Sequence, residues 1–107
     1  MYSVYKRYIV GIYQGVSVLF EYDPEKSESN LAKHGIDFLE AQELWEDLHA
    51  VKYGLACTGE ARYGLIAPYG GRYWFAVFTI RNENVRIISV RAATMREVSL
   101  YDRAYND

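Results

Sequence analysis

The dipeptide Gly70-Gly71 lies between two long runs of strand-forming residues, and this arrangement constrains the fold more than any other feature. The runs cover Arg62–Tyr69 and Arg72–Arg81, and a further run covers residues 85–91. Consecutive glycines adopt the positive φ angles of a tight hairpin turn without steric cost. The second half of the chain is therefore expected to form an antiparallel meander.

A strand followed by a helix is expected before this meander. β-forming residues alternate loosely over Val16–Tyr22, as in a strand. Asp23 then offers a capping side chain, and Pro24 suits the first helical position. This helix should end near His34, because Gly35 can take the left-handed conformation that closes a helix.

Two further helices are expected from capping-box spacings. Asp37 and Glu40 stand three residues apart, as an N-cap and its N3 partner do, and Thr94 begins a similar motif near the C-terminus. After Asp37, apolar residues recur at helical spacing while acidic residues occupy the other side, which is typical of an amphipathic helix rather than a metal site. The apolar residues are Phe38, Ala41, Leu44, Trp45 and Leu48.

The expected order is an N-terminal strand, two helices, an antiparallel meander of about four strands that begins weakly near residues 50–55, and a C-terminal helix. Helices segregated from a meander define an α+β fold. We expect a single domain over residues 18–107, since a chain of this length supports one small core. Residues 1–17 are expected to be an N-terminal extension, either an additional strand or the product of an overlong gene start.

The only cysteine, Cys57, has no second cysteine with which to form an intramolecular disulfide or a CxxC motif. This favours a cytoplasmic location. Residues 8–20 follow two basic residues and are mostly apolar, but they are too short to span a bilayer and are interrupted by glycine and polar residues. We therefore expect neither a signal peptide nor a membrane partner.

The charge is distributed unevenly along the chain. Residues 21–60 contain ten acidic residues and three lysines, whereas residues 61–103 contain seven arginines, no lysine and three acidic residues. The planar guanidinium of arginine is always charged and binds phosphate through two nitrogens, so this pattern fits nucleic-acid binding. A basic sheet packed against acidic helices in the same domain explains the asymmetry equally well.

The hairpin register places arginines together on one face of the sheet. With a two-residue glycine turn, Arg62 and Arg81 share a face, and Glu60 stands opposite Arg81. A three-residue loop after Arg81 would add Arg91 to this face, whereas a two-residue loop would add Arg86 instead. Such arginines suit the stabilisation of charge on phosphate oxygens. Alternatively, each arginine lies along a sheet edge or pairs with an acid such as Glu60.

Lys33 and His34 stand together at the end of the first predicted helix. Histidine titrates near neutrality and could transfer a proton to or from a ribose oxygen. A cationic pair at a helix C-terminus also stabilises the helix dipole, and the pattern favours this structural role over a catalytic one for His34. The sequence contains no glycine-rich phosphate loop and no metal-ligand signature, and we expect neither a cofactor nor a metal.

Four segments of the chain resemble the BrnT toxins, and their span covers about four-fifths of the sequence. The specific marks are the Asp-Pro pair, KHGI with its following acid, and RIIS-x-R-x-A-T-x-R-E, in that order. The segments are FEYDPEKSESNLAKHGIDFLEAQELWED from Phe20, EARY from Glu60, GGRYWFAVFTIR from Gly70 and VRIISVRAATMREVSLYD from Val85.

The resemblance implies a RelE-like fold, a toxic RNA-cleaving activity and a cognate BrnA-like antitoxin. That antitoxin would carry a ribbon-helix-helix part, through which the pair binds operator DNA. Together with the arginine pattern, the resemblance nominates site residues. The catalytic candidates are Lys33, His34, Arg62, Arg81 and Arg91. The candidates for RNA binding are Arg72, Arg86, Arg96 and Glu97.

The leading hypothesis is a metal-independent endoribonuclease toxin, in which a ribose 2′-hydroxyl attacks the adjacent phosphorus while arginines neutralise the phosphate. One alternative is a partner-binding module that has lost catalysis and acts as a co-repressor with its antitoxin. A third is an interaction protein that uses a tyrosine-rich surface. RNA cleavage in EDTA would separate the first hypothesis from the other two.

Overall fold

Most strands and helices form where their local sequence predicts them, and the strands join into one mixed sheet. The computed structural model describes residues 7–13 and 15–106. Within these residues, the sheet has six strands in the order β1-β2-β6-β5-β4-β3, of which only β2 and β6 are parallel neighbours. The expected α+β class is confirmed. The elements are β1 (Arg7–Tyr13), β2 (Val16–Tyr22), α1 (Pro24–His34), α2 (Phe38–Ala41), a 3₁₀ segment (Gln42–Glu46), β3 (Val51–Leu55), β4 (Arg62–Tyr69), β5 (Arg72–Arg81), β6 (Asn84–Ala92) and α3 (Met95–Asn106).

Strand β1 lies within the segment that the sequence sets apart as an extension. It pairs with β2 along its whole length, from Arg7 opposite Tyr22 to Tyr13 opposite Val16. The boundary after residue 17 thus falls inside β2. Residues 1–6 lie outside the described part of the chain, and the separate status of residues 1–17 stays a prediction. None of the helices in the described residues is long and apolar enough to cross a membrane.

The predicted ends of α1 are confirmed. The carboxylate of Asp23 accepts a hydrogen bond from the backbone N–H of Glu25 at 2.9 Å. At the other end Gly35 has a φ of 82°, and its N–H donates to the carbonyl oxygen of Leu31. A side chain with a Cβ is disfavoured at such an angle, which explains why glycine stops the helix there.

The second helix is shorter than the sequence predicts. Asp37 caps α2 by accepting from the N–H of Glu40 at 2.7 Å, as expected. The chain then tightens into the 3₁₀ segment, and the backbone at Asp47 is already extended, with a ψ of 113°. The prediction that Leu48 belongs to the apolar face of this helix is wrong, since Leu48 is 79% exposed. The carboxylate of Asp47 instead accepts from the N–H of His49 and turns the chain out of the helix.

One face of the sheet, the core face, packs against α1, α2 and the 3₁₀ segment. The centre of this packing is Trp45, which is 1% exposed. Its ring contacts Phe20 of β2 and Phe78 of β5 edge to face, with centroids 5.3 and 5.2 Å away. These contacts fix the helical layer on one side. The opposite face, called here the arginine face, is covered only in part, by α3 through Tyr101 and Leu100.

A bulge in β6 combines the two registers that the sequence left open. The turn after Arg81 has two residues with positive φ, and Arg81 stands opposite Asn84. Between the Phe78–Ile87 and Val77–Ser89 pairs, however, β6 contains one additional residue, so the register shifts by one. Arg86 before the bulge and Arg91 after it consequently lie on the same face.

Asn30 holds α1 against β6 at the point where β2 no longer pairs with that strand. The amide nitrogen donates to the carbonyl oxygens of Ile36 and Val90 at 2.8 and 2.9 Å. The amide oxygen accepts from the N–H of Val90 at 3.1 Å. A buried side chain thus satisfies strand groups that would otherwise lack a partner. This contact places the C-terminal end of α1, with Lys33 and His34, beside β6.

Candidate functional site

The arginine face consists of rows of residues that stand opposite one another across the strands. The first row joins Ile66, Phe75 and Arg91. The second joins Tyr53, Gly64, Val77 and Ser89, and contains no charged side chain. One residue beyond the Tyr63–Phe78 pair, the third row joins Arg62, Thr79 and Arg86. Glu60 and Arg81 follow it at the end of the sheet.

Glu60 and Arg81 form a bidentate pair near the hairpin turn, in the register that the sequence predicts. Nε and Nη2 of Arg81 donate to the two carboxylate oxygens of Glu60 at 2.7 and 3.1 Å. Both side chains are open to solvent, with 41% and 36% of their surfaces exposed. The hydrogen bond from Arg81 lowers the pKa of Glu60, and the charges of Arg62 and Arg86 lower it further. Three arginines thus lower the pKa of one carboxylate, and these four residues are called here the arginine cluster.

The members of the cluster differ in how their charges are balanced. Arg86 lies 3.5 Å from the carboxylate of Glu21, which is only 3% exposed. Arg81 binds Glu60. Within the described residues, no hydrogen bond or ion pair is found for Arg62, which is exposed on the same face. Its guanidinium is consequently the cluster member most open to a new anionic partner.

Arg91 and Glu97 form a second bidentate pair at the other end of the face. The two guanidinium nitrogens donate to the two carboxylate oxygens at 2.8 and 2.9 Å. Glu97 also accepts from the N–H of Thr94, whose hydroxyl accepts from the N–H of Glu97 in return. The predicted capping box of α3 is thus present, and its carboxylate simultaneously fixes Arg91. The hydrogen bond from Arg91 lowers the pKa of Glu97, and the bonds with Thr94 add to this effect.

Two arginines nominated from the sequence lie away from this arrangement. Arg72 stands opposite Tyr69 on the core face, and its guanidinium lies 4.8 Å from the ring centroid of Trp74. Arg72 therefore does not belong to the arginine cluster, and its role in RNA binding stays a prediction. Arg96 is exposed in the first turn of α3, beside Glu97. Its role in RNA binding stays a prediction.

Lys33 and His34 line a cleft at the edge of β6, where β2 has diverged. The cleft has a volume of about 420 Å³. Both residues are exposed, and they share the cleft with Ser89 of the second row. The bulge residue Ile88 also lines it. The two cationic residues thus adjoin the arginine face at its edge without lying on it. Their catalytic roles stay predictions.

A comparison of the sequence with protein families identifies the chain. Residues 22–97 match the family described as the ribonuclease toxin BrnT of type II toxin-antitoxin systems. The chain belongs to the BrnT family. The matched region exceeds two thirds of the chain and contains both arginine–glutamate pairs, whereas β1 precedes it. No match was found among curated proteins.

As a member of the BrnT family, the chain is a ribonuclease toxin. It therefore has an RNA substrate and an antitoxin partner. Among the described residues, no group of three or more His, Cys, Asp or Glu side chains is arranged to hold a metal ion.

Sequence reasoning missed two residues that shape this site. Glu21 was treated only as part of a strand, although it is buried beside Arg86. Tyr53 was not singled out, yet it lies next to the Arg91–Glu97 pair, and burial together with Glu97 raises the pKa of its hydroxyl. An acid near the end of a mostly apolar strand could have indicated the first. No local signal indicates the second, because its neighbours come from distant strands.

Proposed function

We propose that the chain cleaves single RNA phosphodiester bonds without a metal ion, and that the arginine cluster holds the phosphate. The observation that carries this proposal is the position of the Glu60 carboxylate. Arg81 binds it through two nitrogens, and the positive charges of Arg62 and Arg86 help to lower its pKa. Arginine forks bind carboxylate and phosphate with the same geometry. An RNA phosphate that displaces Glu60 therefore meets a preformed anion site.

The cluster supplies what the reaction needs at phosphorus. The ribose 2′-oxygen forms a bond to the adjacent phosphorus, the bond from phosphorus to the 5′-oxygen breaks, and a proton passes from the 2′-hydroxyl to a base. The products are a 2′,3′-cyclic phosphate and a 5′-hydroxyl that has gained a proton. Arg62 and Arg81 are diagonal neighbours about 7–8 Å apart at Cα, so both reach one phosphate. Their charges stabilise the oxygens that become more negative in the transition state.

Lys33 and His34 are proposed to act from the neighbouring cleft. The cleft meets the arginine face at Ser89, so an RNA strand on that face can continue into it. A lysine there binds a flanking phosphate, and the exposed imidazole of His34 can donate or accept a proton. We propose His34 as a proton-transfer group for this reason.

The partner is proposed to be a BrnA-like antitoxin with a ribbon-helix-helix part, through which the complex binds operator DNA. We also propose that the protein acts in the cytoplasm and that its fold is related to that of RelE. The family assignment supports a toxin-antitoxin pair, and the mixed sheet with a C-terminal helix is compatible with the relationship. An adjacent reading frame that encodes a short ribbon-helix-helix chain would support this partner.

The test is cleavage of a defined RNA by the purified chain, separated from its antitoxin, in EDTA and in magnesium. We expect equal rates and a product that ends in a 2′,3′-cyclic phosphate. A substrate with 2′-deoxyribose at the scissile position should remain intact. Strict dependence on a divalent ion would disprove the metal-independent mechanism. An intact substrate under both conditions would favour the alternative function as a non-catalytic co-repressor.

A further inference from the structure

The guanidinium of Arg91 is held by Glu97 and by the ring of Phe75, yet its side chain stays partly exposed. Its Cζ lies 4.3 Å from the ring centroid of Phe75, which is itself 6% exposed. Two of its nitrogens donate to Glu97, and one of these also donates to the carbonyl oxygen of Ala92 at 3.1 Å. The side chain of Arg91 nevertheless remains 41% exposed, against 12% for Glu97.

This geometry disfavours phosphate and favours a flat, uncharged partner. Phosphate binds arginine in the guanidinium plane through its N–H groups. In Arg91 three of the five N–H groups donate to Glu97 and Ala92, and the partly buried carboxylate of Glu97 balances the charge. Above and below the plane, guanidinium stacks on aromatic rings, and RNA-binding proteins use the same surface for unpaired bases. Because one side of Arg91 covers Phe75, the other side offers a stacking surface.

The surroundings of Arg91 are suited to a base. Tyr53 is half-buried beside it, with its ring centroid 6.2 Å from that of Phe75. Gly64 has no side chain, and a Cβ there would lie 2.6 Å from the ring of Phe75, so the ring extends over β4. The uncharged row that contains Tyr53, Gly64 and Val77 therefore forms an apolar floor between Arg91 and the arginine cluster.

The distance between the two ends of the face excludes a shared phosphate. Arg91 stands opposite Phe75, and Arg86 stands opposite Thr79. Four residues along β5 separate these positions, which corresponds to about 13 Å. A single phosphate cannot contact both ends, whereas a nucleotide chain with a phosphate at the cluster and a base at Arg91 spans them.

We infer that Arg91 is a stacking platform for an unpaired nucleobase, with Tyr53 at its side, and that the substrate is single-stranded RNA. The inference rests on the proposed function, because it takes the arginine cluster as the phosphate site. Duplex RNA cannot present a base in this way, since its bases are stacked within the helix.

Binding of a fluorescent RNA to the full chain provides the first test. The probe is a short single-stranded RNA, 2′-O-methylated to prevent cleavage, with 2-aminopurine placed at each position in turn. We expect strong quenching at one position on binding to the wild type, because stacking quenches this base. The same RNA in a duplex should bind at least tenfold more weakly. Absence of quenching at every position, or equal affinity for the duplex, would overturn the inference.

Salt dependence separates stacking from phosphate binding. For single strands, the slope of log K against log salt changes by about 0.7 for each phosphate contact. Arg91→Lys and Arg91→Gln should each weaken binding roughly tenfold, abolish the quenching and leave the slope unchanged. Full affinity in Arg91→Lys, with a reduced slope in Arg91→Gln, would show that Arg91 binds phosphate instead. The quenching experiment uses the wild-type chain, so the inference can be tested even if either variant folds poorly.

Two further variants separate this inference from the proposed function. Arg62→Ala should lower the slope by about 0.7, since it removes a phosphate contact. Lys52→Ala should change neither slope nor quenching, because this lysine also lies over aromatic rings but belongs to the core face. An unchanged slope in Arg62→Ala would contradict the phosphate site and thus the proposed function. If Arg62→Ala lowers the slope as expected but the wild type shows no quenching, only the stacking platform is contradicted.

Discussion

The two bidentate arginine–glutamate pairs on the arginine face have nearly the same hydrogen bonds but different surroundings. In the Arg81–Glu60 pair, both side chains are exposed, and the carboxylate belongs to a loop before β4. In the Arg91–Glu97 pair, the carboxylate is largely covered and also caps α3. The first pair can exchange its partner at little structural cost, whereas the second is part of the packing.

This difference shows that an ion pair with a glutamate does not by itself identify a functional arginine. An exposed carboxylate competes with substrate for its arginine and can be displaced, because solvent stabilises both partners when they separate. A partly buried carboxylate with several donors cannot leave without exposing unpaired groups. We therefore propose that phosphate binds at the end of the face that contains Glu60, and that the end that contains Glu97 is a fixed platform.

The largest effect is expected from removal of the phosphate-binding guanidinium groups. Arg62→Ala and Arg81→Ala should each lower the RNA-cleavage rate by about a hundredfold or more, because each loses a charged stabiliser of the transition state. Stability should change by no more than about 0.5 kcal/mol, as is usual for exposed side chains. Arg81→Lys should restore only part of the rate, since a point charge lacks the bidentate fork.

Cleavage rates and thermal melting curves of the same preparations check this prediction, with Lys52→Ala as the control on the core face. A parallel loss of stability and rate would show that these arginines are structural. Full activity in both alanine variants would place the phosphate elsewhere.

The second effect concerns stability and should appear only at the fixed pair. Glu97→Ala removes the capping box of α3 and leaves Arg91 without its partner. The free energy of unfolding should fall by about 1–2 kcal/mol, which corresponds to a lower Tm by roughly 5–15 °C. Glu60→Ala is the matched control and should melt like the wild type. Equal Tm values for Glu97→Ala and Glu60→Ala would contradict the proposed difference between the two pairs.

The third effect is a gain in RNA binding at the exposed pair. Glu60→Gln removes the negative charge that competes with phosphate for Arg81, and affinity at low salt should rise roughly fivefold. The gain should shrink at high salt, where surface charges are screened. Fluorescence anisotropy of a labelled RNA measures this, with Glu25→Gln on α1 as a control for net charge. Weaker binding by Glu60→Gln would mean that Glu60 positions Arg81 rather than competing with RNA.

The smallest effect is on the pH dependence of stability. The pKa of Glu97 is lower in the folded chain than its ordinary value near 4.3, because Arg91 and Thr94 donate to the carboxylate. Its contribution is therefore present above about pH 4.3 and is lost as the pH falls through the lowered pKa. Unfolding free energies between pH 6 and 3 should decline less steeply in Glu97→Gln than in the wild type. Parallel curves would contradict this prediction.

Local sequence determined much of the framework. The bounds of β2, β4 and β5, the caps of α1 and the capping box of α3 follow from turn residues and capping side chains that act within a few positions. The pairing of Glu60 with Arg81 also followed, because a two-residue turn fixes the register of a hairpin. The end of the second helix did not, since the 3₁₀ segment depends on how Trp45 packs between β2 and β5.

The sequence restricts which residues can form an arginine face, but the packing of distant strands selects the ones that do. In β6, Val85 and Ile87 point to the core, but so does Val90, and this change of parity requires the bulge that brings Arg86 and Arg91 to one face. The partners that then distinguish these arginines, Glu21 and Glu97, come from separate elements. The charge balance of a guanidinium depends on its distance from other charges and on its burial. Neither can be read from how far apart the residues lie in the sequence.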